Sequence, residues 1–431
     1  MSAAPAETAP GARLLKETVS RCPVCGGPAP AQVWQRMETA GRRSVWMVRQ
    51  CPEHGEAEAC LASDARFYWR SHGNPDRAEG CSASACETLS TCIALIEVVR
   101  SCNLACPTCY AASPQSTAVD AVPLEDLQRR IEGVIARKGG LEILQLSGGE
   151  PTLHPQFFEL LAWCQAHPRI QYVLLNTNGV RIAREEAFAA ELGRTIRYGR
   201  FQLYLQFDGV QAAAQHDLRG ADLRALRRQV LERCGELRIP VTLAMTVTPE
   251  NLGHLWETIA FGLEWPQVRG ITFQPMFRSG RWKGGAAAPP ITVADLILAA
   301  VAQSGGLLRT GDFTPLPCGD PNCATIGYLL KTPEGPRSLC EFVDLPAIQG
   351  FLQDRLRYSL ADLTRCGCEC EPLGRLLHEL ELNETHTFRL LIKPFMDEWT
   401  WDEDRIDRCC THVIRPDGKL DSFCRYYGHR P

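Results

Sequence analysis

Between residues 93 and 275, short apolar runs alternate with amphipathic stretches. The apolar or β-branched runs, each typical of a buried strand, are "ALIEVV", "LEILQLS", "QYVLLNT", "FQLYLQF", "VTLAMTV" and "GITFQP". Between them, apolar residues recur at helical spacing in "LEDLQRRIEGVIARK", "QFFELLAWCQAH", "REEAFAAELGR", "LRALRRQVLERCGEL" and "LGHLWETIAFGL". This alternation predicts an α/β fold with a parallel sheet, which right-handed crossovers would curl into an open or partial barrel.

Composition narrows the class of protein. Of the 431 residues, 45% are apolar and 22% are charged, as in ordinary soluble globular proteins. The net charge is only -4, so the chain lacks the basic field of a nucleic-acid binder. The N-terminal stretch has no apolar signal-peptide core, and no window approaches a membrane span. We therefore predict a cytoplasmic protein with no nucleic-acid partner.

The chain contains 21 cysteines, which is the most informative number in its composition. A reducing cytosol keeps thiols unpaired, and a chain of this length does not need disulfides to fold. Clustered cysteines in this setting indicate metal or redox chemistry.

Three cysteines follow the first predicted strand in "VVRSCNLACPTCYAA". Cys102, Cys106 and Cys109 have the spacing C-x3-C-x2-C, and three thiolates on one loop can hold three irons of a 4Fe–4S cluster. One iron would then be open to a substrate or cofactor. The alternative is a zinc site, or buried thiols, completed by a distant fourth cysteine.

Polar and glycine residues follow the next three strands. They are Gly148, Gly149 and Glu150 in "SGGEPTLHP", Asn178 in "LLNTNG" and Asp208 in "LQFDG". Because the carboxyl ends of parallel strands meet at one edge, these residues and the three cysteines are expected around one pocket.

This combination resembles the radical S-adenosylmethionine (SAM) superfamily. The resemblance implies a partial (β/α)6 barrel in which Cys102, Cys106 and Cys109 hold the catalytic cluster and SAM, through its amino and carboxylate groups, takes the fourth iron. It also implies that Gly148, Gly149 and Glu150 contact the methionine end of SAM, and that Asn178 and Asp208 line its pocket. A reduced cluster would cleave SAM to a 5′-deoxyadenosyl radical, which requires an external one-electron donor such as a ferredoxin or flavodoxin. Thr108 stands where the superfamily usually has an aromatic residue, and Tyr110 is the nearest aromatic candidate for cofactor contact.

Two knuckle sequences near the N-terminus, "CPVCG" and "CPEHG", predict a mononuclear iron or zinc site. Its ligands would be Cys22, Cys25, Cys51 and His54, and Cys60 is an alternative to the histidine.

The remaining clustered thiols are enough for one or two auxiliary 4Fe–4S clusters, although spacing does not assign them individually. They are Cys81, Cys86, Cys92, Cys318, Cys323, Cys366, Cys368, Cys370, Cys409, Cys410 and Cys424. Cys164, Cys234 and Cys340 stand alone and are interpreted as structural.

The order of "CPEHG", "IEVVRSCNLACPTCYA", "SGGEPTLHP", "PLPCGDPNC" and "DRCCTHVIRPDGKLDSFC" is similar to that in one radical SAM branch. This branch includes archaeal tetraether lipid synthase and proteins labelled pterin methylases. The resemblance implies hydrogen abstraction from a lipid-like substrate and carbon–carbon bond formation between alkyl chains, as in lipid biosynthesis. Transfer of a methyl group to a pterin-like ring, or peptide modification, is the alternative. A non-catalytic electron-transfer or zinc-structural protein is the hypothesis from another class.

The cysteine pattern predicts four regions: a flexible tail over 1–20, a rubredoxin-like or zinc-knuckle domain over 21–75, a core barrel over 76–290 and an auxiliary-cluster domain over 291–431. In the last, "FLQDRLRYSLADL" is amphipathic and a candidate for peripheral membrane contact, although such stripes usually face a core.

Overall fold

The structure is a computed structural model that describes residues 12–38, 41–69, 91–116, 118–283, 289–316, 318–344 and 383–428. Several predicted features lie outside the described residues, namely Cys81, Cys86, Cys366, Cys368, Cys370 and the amphipathic segment 351–363. Within the described ranges, no helix combines the length and apolar character required to cross a membrane.

The N-terminal region is a four-stranded antiparallel sheet in sequential order. Its strands are β1 (Arg13–Arg21), β2 (Pro28–Met37), β3 (Arg43–Cys51) and β4 (Gly55–Ala62). Alternate side chains, including Val33 and Met47, form a small core on one face. The predicted flexible tail over 1–20 is wrong from Arg13 onward, because this stretch pairs with β2. The alternating apolar and polar residues of β1 directly follow an Ala/Pro-rich stretch, and for this reason the sequence analysis included them in the tail.

All six predicted core strands are confirmed and run parallel in the order β10-β9-β8-β7-β6-β5. Their bounds are β5 (Ile93–Val99), β6 (Leu141–Gly148), β7 (Ile170–Thr177), β8 (Phe201–Gln206), β9 (Val241–Val247) and β10 (Val268–Pro275). The sheet is open, since β5 and β10 pair with further strands rather than with each other.

The five predicted helical segments are also confirmed. The helices are α1 (Leu124–Lys138), α2 (Phe157–Ala166), α3 (Val180–Arg184), α4 (Glu186–Thr195), α5 (Ala212–Arg219), α6 (Arg224–Glu236) and α7 (Leu255–Leu263). α4 corresponds to "REEAFAAELGR", whereas α3 and α5 were not among the predicted helices. α1 illustrates the local rules: acidic residues occupy its first turn, basic residues its last, and Gly139 caps it with a positive φ of 82°.

The C-terminal region extends the same sheet, which has twelve strands in all among the described residues. β11 (Thr314–Pro315), β12 (Thr325–Thr332), β13 (Gly335–Ser338) and β14 (Thr387–Ile392) lie beyond β10, while β15 (Thr411–Ile414) and β16 (Leu420–Ser422) lie beyond β5. The accompanying helices are α8 (Val293–Gln303), α9 (Glu403–Asp407) and α10 (Phe423–Tyr427). The predicted boundary at residue 290 therefore does not separate two sheets.

The two faces of β5 show how the core is divided. Ala94, Ile96 and Val98 belong to the main apolar core shared with the helices. Leu95, on the opposite face, packs with Phe423 and Tyr427 of α10. The C-terminal helix thus covers the inner face of the sheet.

The N-terminal sheet is anchored to the segment that precedes α9. The buried Arg49 guanidinium donates to the carbonyls of Glu398 (2.9 Å) and Trp399 (2.7 Å). Lys16 forms an ion pair of 2.6 Å with the fully buried Asp402. These contacts fix the predicted metal domain against the C-terminal region.

Candidate active site and metal sites

One cavity gathers the carboxyl ends of the parallel strands. It is lined by residues of the loop after β5 and by residues at the ends of the next five strands. These include Cys102, Cys106, Cys109, Tyr110, Gly148, Gly149, Glu150, Asn178, Gln206, Thr246 and Gln274. Residues more than 170 positions apart in sequence meet here, as strand topology predicted.

The loop carrying the three cysteines, defined here as the cysteine loop (residues 100–116), is held mainly by backbone hydrogen bonds. The amide of Cys102 donates to the Pro114 carbonyl at 2.9 Å. Arg281, which follows β10, donates to the carbonyls of Cys106 (2.9 Å) and Ser113 (2.6 Å). Burial and the nearby Glu150 carboxylate raise the pKa of the Cys102 thiol to about 12. The Cys102 thiol therefore holds its proton until a metal displaces it.

The paired glycines after β6 have a structural reason besides lining the cavity. A Cβ on Gly148 would lie 2.1 Å from the Val99 carbonyl oxygen, and a Cβ on Gly149 would lie 2.1 Å from that of Ser101. The Gly149 amide donates to Val99 at 2.9 Å, and the Glu150 amide donates to Ser101 at 3.1 Å. Glycine lets the end of β6 approach the backbone that leads into the cysteine loop.

Glu150 ties β6 to β7 through its carboxylate. Oε1 accepts hydrogen bonds from the hydroxyls of Thr177 (2.6 Å) and Thr152 (2.7 Å), and Oε2 accepts from the Asn178 amide (2.8 Å). Burial nevertheless raises the pKa of Glu150 above its ordinary value. Its position is fixed by three donors, so it presents a preorganised acceptor to the cavity.

Asn178 and Asp208 differ in their exposure to the cavity. Asn178 lines the cavity as predicted, and its side-chain amide lies 3.7 Å from Cys102 Sγ and 2.7 Å from Asn103 Oδ1. Asp208 is completely buried and is not among the cavity-lining residues. Its oxygens accept from the Thr246 amide (3.0 Å) and the Arg219 guanidinium (2.5 Å). Both of these donor residues line the cavity. A direct contact between Asp208 and the cofactor stays a prediction.

Sequence reasoning missed two arginines of the cavity wall, Arg219 and Arg227. Arg227 has no exposed surface, and none of its three guanidinium nitrogens has a hydrogen-bond partner. Burial, followed by repulsion from Arg219, lowers the pKa of Arg227 to about 10. A buried cation without a partner is costly, so this guanidinium requires an anion. Its helix is rich in arginine, and no sequence pattern distinguishes Arg227 from the other arginines there.

Arg219 remains charged despite burial. Desolvation lowers its pKa, but Asp208 and a hydrogen bond to Cys106 outweigh that effect and raise the pKa above its ordinary value. The sequence signal for Arg219 is weak, because the arginine in "HDLRG" fits a helix cap or a solvent-exposed charge equally well.

A chain of side-chain hydrogen bonds crosses the cavity wall. Arg219 donates to Gln206 Oε1 (3.0 Å), Gln206 donates to Asn176 Oδ1 (2.8 Å), and Asn176 donates to Ser147 Oγ (3.1 Å). All the donors point in one direction, which strengthens each bond.

Tyr110 borders the cavity, and its ring contacts other aromatic residues. The centroid separations are 4.8 Å to Tyr427 and 5.4 Å to Phe423. Burial raises the pKa of Tyr110 above its ordinary value. The Tyr110 ring is thus packed on α10. Thr108, which stands where the superfamily usually has an aromatic residue, donates a hydrogen bond to the Leu218 carbonyl at 3.1 Å.

The four predicted N-terminal ligands come together. The ligand atoms of Cys22, Cys25, Cys51 and His54 all lie within 4.8 Å of one another. His54 Nδ1 is 3.6 Å from both Cys22 Sγ and Cys51 Sγ, and the sulfurs of Cys25 and Cys51 are 3.9 Å apart. Tetrahedral ligands about 2.3 Å from one ion lie about 3.8 Å apart, so this donor set fits a mononuclear metal. Cys60 lies outside the group, paired across the sheet with Trp46.

The C-terminal thiols separate into groups that spacing did not resolve. The sulfurs of Cys92, Cys318 and Cys410 lie within 4.8 Å of one another, and all three residues are buried. Cys323, Cys409 and Cys424 interact electrostatically with one another. Cys164 and Cys234 are fully buried in the main core, as expected for structural thiols, and Cys340 belongs to neither group.

The sequence matches the radical SAM superfamily over residues 96–262, which span β5 to α7 and include the cysteine loop. The chain therefore contains a radical SAM domain. Residues 14–63 of the radical SAM chain match a second family, the HMPTM N-terminal zinc ribbon domain. That match coincides with the four-stranded sheet and its four-ligand group.

Relatives of this radical SAM protein differ in how much of it they cover. 7,8-Dihydro-6-hydroxymethylpterin dimethyltransferase of Methanocaldococcus jannaschii is 26% identical over 96% of this chain and 93% of the relative. A mycofactocin maturase of Mycobacterium ulcerans is 29% identical over 37% of this chain and 41% of the relative. Among solved structures, Streptococcus suis SuiB bound to S-adenosylmethionine aligns with 51% of this chain and 50% of that chain, at a TM-score of 0.41 and 16% identity.

The predicted enzyme class and cofactors are confirmed at this level: the protein is a radical SAM enzyme with donor sets for iron–sulfur clusters and a knuckle metal. The cavity fits an iron–sulfur cluster with SAM. It brings together three thiols, a glycine-lined strand end and a buried guanidinium that lacks an anion.

Proposed function

We propose that this radical SAM enzyme methylates a polar, pterin-like heteroaromatic ring. The observation that carries the proposal is the polar inner wall of the cavity, where Asn176, Gln206, Thr246 and Gln274 follow each other around the strand ends. These amides bond in part to neighbouring side chains, but an amide has two donor hydrogens and an acceptor oxygen with two lone pairs. A ring rich in nitrogen and oxygen can use the remaining capacity, whereas an alkyl chain offers no donor or acceptor for it.

The full-length relationship supports the same substrate class. The relative that covers 96% of this chain is a pterin dimethyltransferase, and the N-terminal sheet matches a zinc ribbon of corresponding name. Identity of 26% leaves the substrate open to test.

Each residue of the cavity has a role in this proposal. Cys102, Cys106 and Cys109 would hold the catalytic cluster, and the open iron would take SAM. When bound and reduced, this cofactor pair supplies a 5′-deoxyadenosyl radical. Gly149 and Glu150 would contact the methionine amino group, and the unpaired Arg227 would neutralise the methionine carboxylate.

The protein's own contribution is to position the reactants and exclude water. The cysteine loop is clamped by Arg281 from one side and by the end of β6 from the other. α10 and its aromatic neighbours cover the inner face of β5. These contacts keep a reactive species away from solvent and fix the reacting atoms.

The test is anaerobic incubation with SAM, dithionite and 7,8-dihydro-6-hydroxymethylpterin. The expected result is formation of 5′-deoxyadenosine and methionine from one SAM molecule, together with a pterin product heavier by one or two methyl groups. Each methyl group comes from a further SAM molecule, which is released as S-adenosylhomocysteine, and dithionite supplies the electrons. A Cys102→Ala/Cys106→Ala/Cys109→Ala variant is the matched control and should form neither product.

A parallel incubation with isoprenoid lipid substrates tests the prediction of alkyl coupling. Coupled lipid without pterin methylation would overturn the proposal, although the radical SAM assignment would stand. Gln206→Leu and Gln274→Leu should raise the KM for the pterin, because each removes a polar partner from the cavity wall. An unchanged KM in both variants would also contradict the proposed role of the polar wall.

A further inference from the structure

Asn178 directly follows β7, and its side chain contacts the first thiol of the cysteine loop. Its Nδ2 donates to Cys102 Sγ at 3.7 Å, a hydrogen-bonding distance for sulfur, and to Asn103 Oδ1 at 2.7 Å. Asn178 is only 8% exposed, and Cys102 is also buried. A buried amide donor from a distant strand end therefore faces one of the three sulfurs that would hold the catalytic cluster.

Two further hydrogen bonds fix the orientation of this side-chain amide. The Asn178 backbone amide donates to Glu150 Oε2 at 2.8 Å, and Asn178 Oδ1 accepts from the Val180 amide at 3.0 Å, at the start of α3. A side-chain amide has its acceptor oxygen on one side and its donor nitrogen on the other. Because Val180 holds the oxygen, the nitrogen points to Cys102, and the reversed amide would set one donor against another. The donor thus reaches the sulfur in one fixed orientation.

We propose that Asn178 raises the reduction potential of the catalytic cluster by donating its side-chain N–H to Cys102 Sγ. Reduction adds negative charge to a cluster held by thiolates, so a donor to a ligand sulfur stabilises the reduced form more than the oxidised form. The Leu104 amide also donates to this sulfur, at 3.4 Å, but it is a backbone group that a side-chain substitution leaves in place. Asn178 is a positioning residue in this proposal, since it acts through Cys102 and not on substrate.

The test is the midpoint potential of the cluster in anaerobically reconstituted protein, followed by EPR during a redox titration. The signal that changes when SAM is added identifies the cluster with the open iron. Asn178→Leu keeps a side chain of similar size without the donor, and should reduce the ratio of reduced to oxidised cluster at a fixed potential about threefold. A tenfold change is 59 mV for a one-electron couple, so the midpoint should be about 28 mV lower.

Asn176 provides a matched control from the same strand. It also lines the cavity, but its side-chain amide donates to Ser147 Oγ at 3.1 Å and not to a sulfur. Asn176→Leu therefore removes the same chemical group from the same cavity, and should shift the midpoint less than Asn178→Leu does. This comparison separates the contact with the sulfur from the general polarity of the cavity wall.

A wild-type midpoint in Asn178→Leu, or an equal shift in Asn176→Leu, would overturn the proposal. Iron counting shows whether each variant holds the cluster. Should Asn178→Leu lose iron, Asn178→Asp decides the matter, because it keeps the shape of the side chain and the acceptor for the Val180 amide. It replaces the donor with an anionic oxygen, so its midpoint should be lower still, and a wild-type value there would be equally decisive. The readout does not involve the methyl acceptor, so it is independent of the proposed substrate.

Discussion

Gly149→Ala is expected to destabilise the active site strongly, although it adds only one methyl group. Its Cβ would lie 2.1 Å from the Ser101 carbonyl oxygen, 2.5 Å from the Ser101 carbonyl carbon and 2.7 Å from the Arg100 oxygen. Ordinary contact begins at about 3.4 Å, so the end of β6 and the cysteine loop must separate by about 1.3 Å. All three atoms are backbone, and no side-chain rotation relieves the overlap.

The expected cost has two components. Overpacking of this kind destabilises a protein by about 1–3 kcal/mol. The separation also stretches the hydrogen bond from the Glu150 amide to the Ser101 carbonyl, which is 3.1 Å long. Weakening this bond adds roughly 0.5–1.5 kcal/mol to the loss of stability. We expect a total loss of about 1.5–4.5 kcal/mol in the free energy of unfolding, and impaired loading of the catalytic cluster.

The assay is urea unfolding of the metal-free protein, combined with iron counting after anaerobic reconstitution. Gly253→Ala is the control, because its Cβ would meet no atom within 4 Å. Gly149→Ala with wild-type stability and full iron content would refute the close-approach argument.

Three further outcomes are expected. His54→Ala should weaken metal binding in the N-terminal site by at least about 100-fold, because loss of a direct ligand costs more than loss of a residue that only supports a ligand. Cys60→Ser should retain the metal, because Cys60 lies outside the ligand group. Equal zinc content in both variants after dialysis against a chelator would contradict this. A backbone hydrogen bond from Cys25 is the main cause that lowers the pKa of Cys22 to about 6, while burial raises that of Cys102 to about 12. Below its pKa a thiol must lose a proton when it binds metal, so metal affinity at the cysteine loop should rise up to about tenfold per pH unit between pH 7 and 9. The contribution of Cys22 to metal affinity should be constant over the same range. Chelator competition at each pH measures both affinities, and a rise at the N-terminal site with a constant affinity at the cysteine loop would contradict the prediction. Asp320→Ala should lower the free energy of unfolding by about 3–5 kcal/mol, because it removes the fully buried ion-pair partner of Arg408 (2.6 Å). Asp404→Ala should lower it by under about 1 kcal/mol, because the Asp404 side chain that pairs with the same arginine is 39% exposed. Urea unfolding measures both changes.

The sequence by itself determined the strands, the helices and the chemical class. Apolar runs and helical periods are local properties of the chain, so β5 to β10 and most of their helices could be predicted within a few residues. The Cys102, Cys106 and Cys109 spacing is equally local, and parallel topology then placed Glu150 and Asn178 at the same cavity.

The features that depend on contacts between distant parts of the chain were decided only by the tertiary structure. It placed Cys92 of the region before β5 beside Cys318 and Cys410, more than 200 residues further along the chain. It buried Asp208 against Arg219 and Thr246 of the cavity wall, because charge pairing and burial depend on neighbours that periodicity cannot reveal. It also joined the C-terminal strands to both edges of the core sheet, where hydrogen bonding between distant segments, rather than local pattern, fixes the partner.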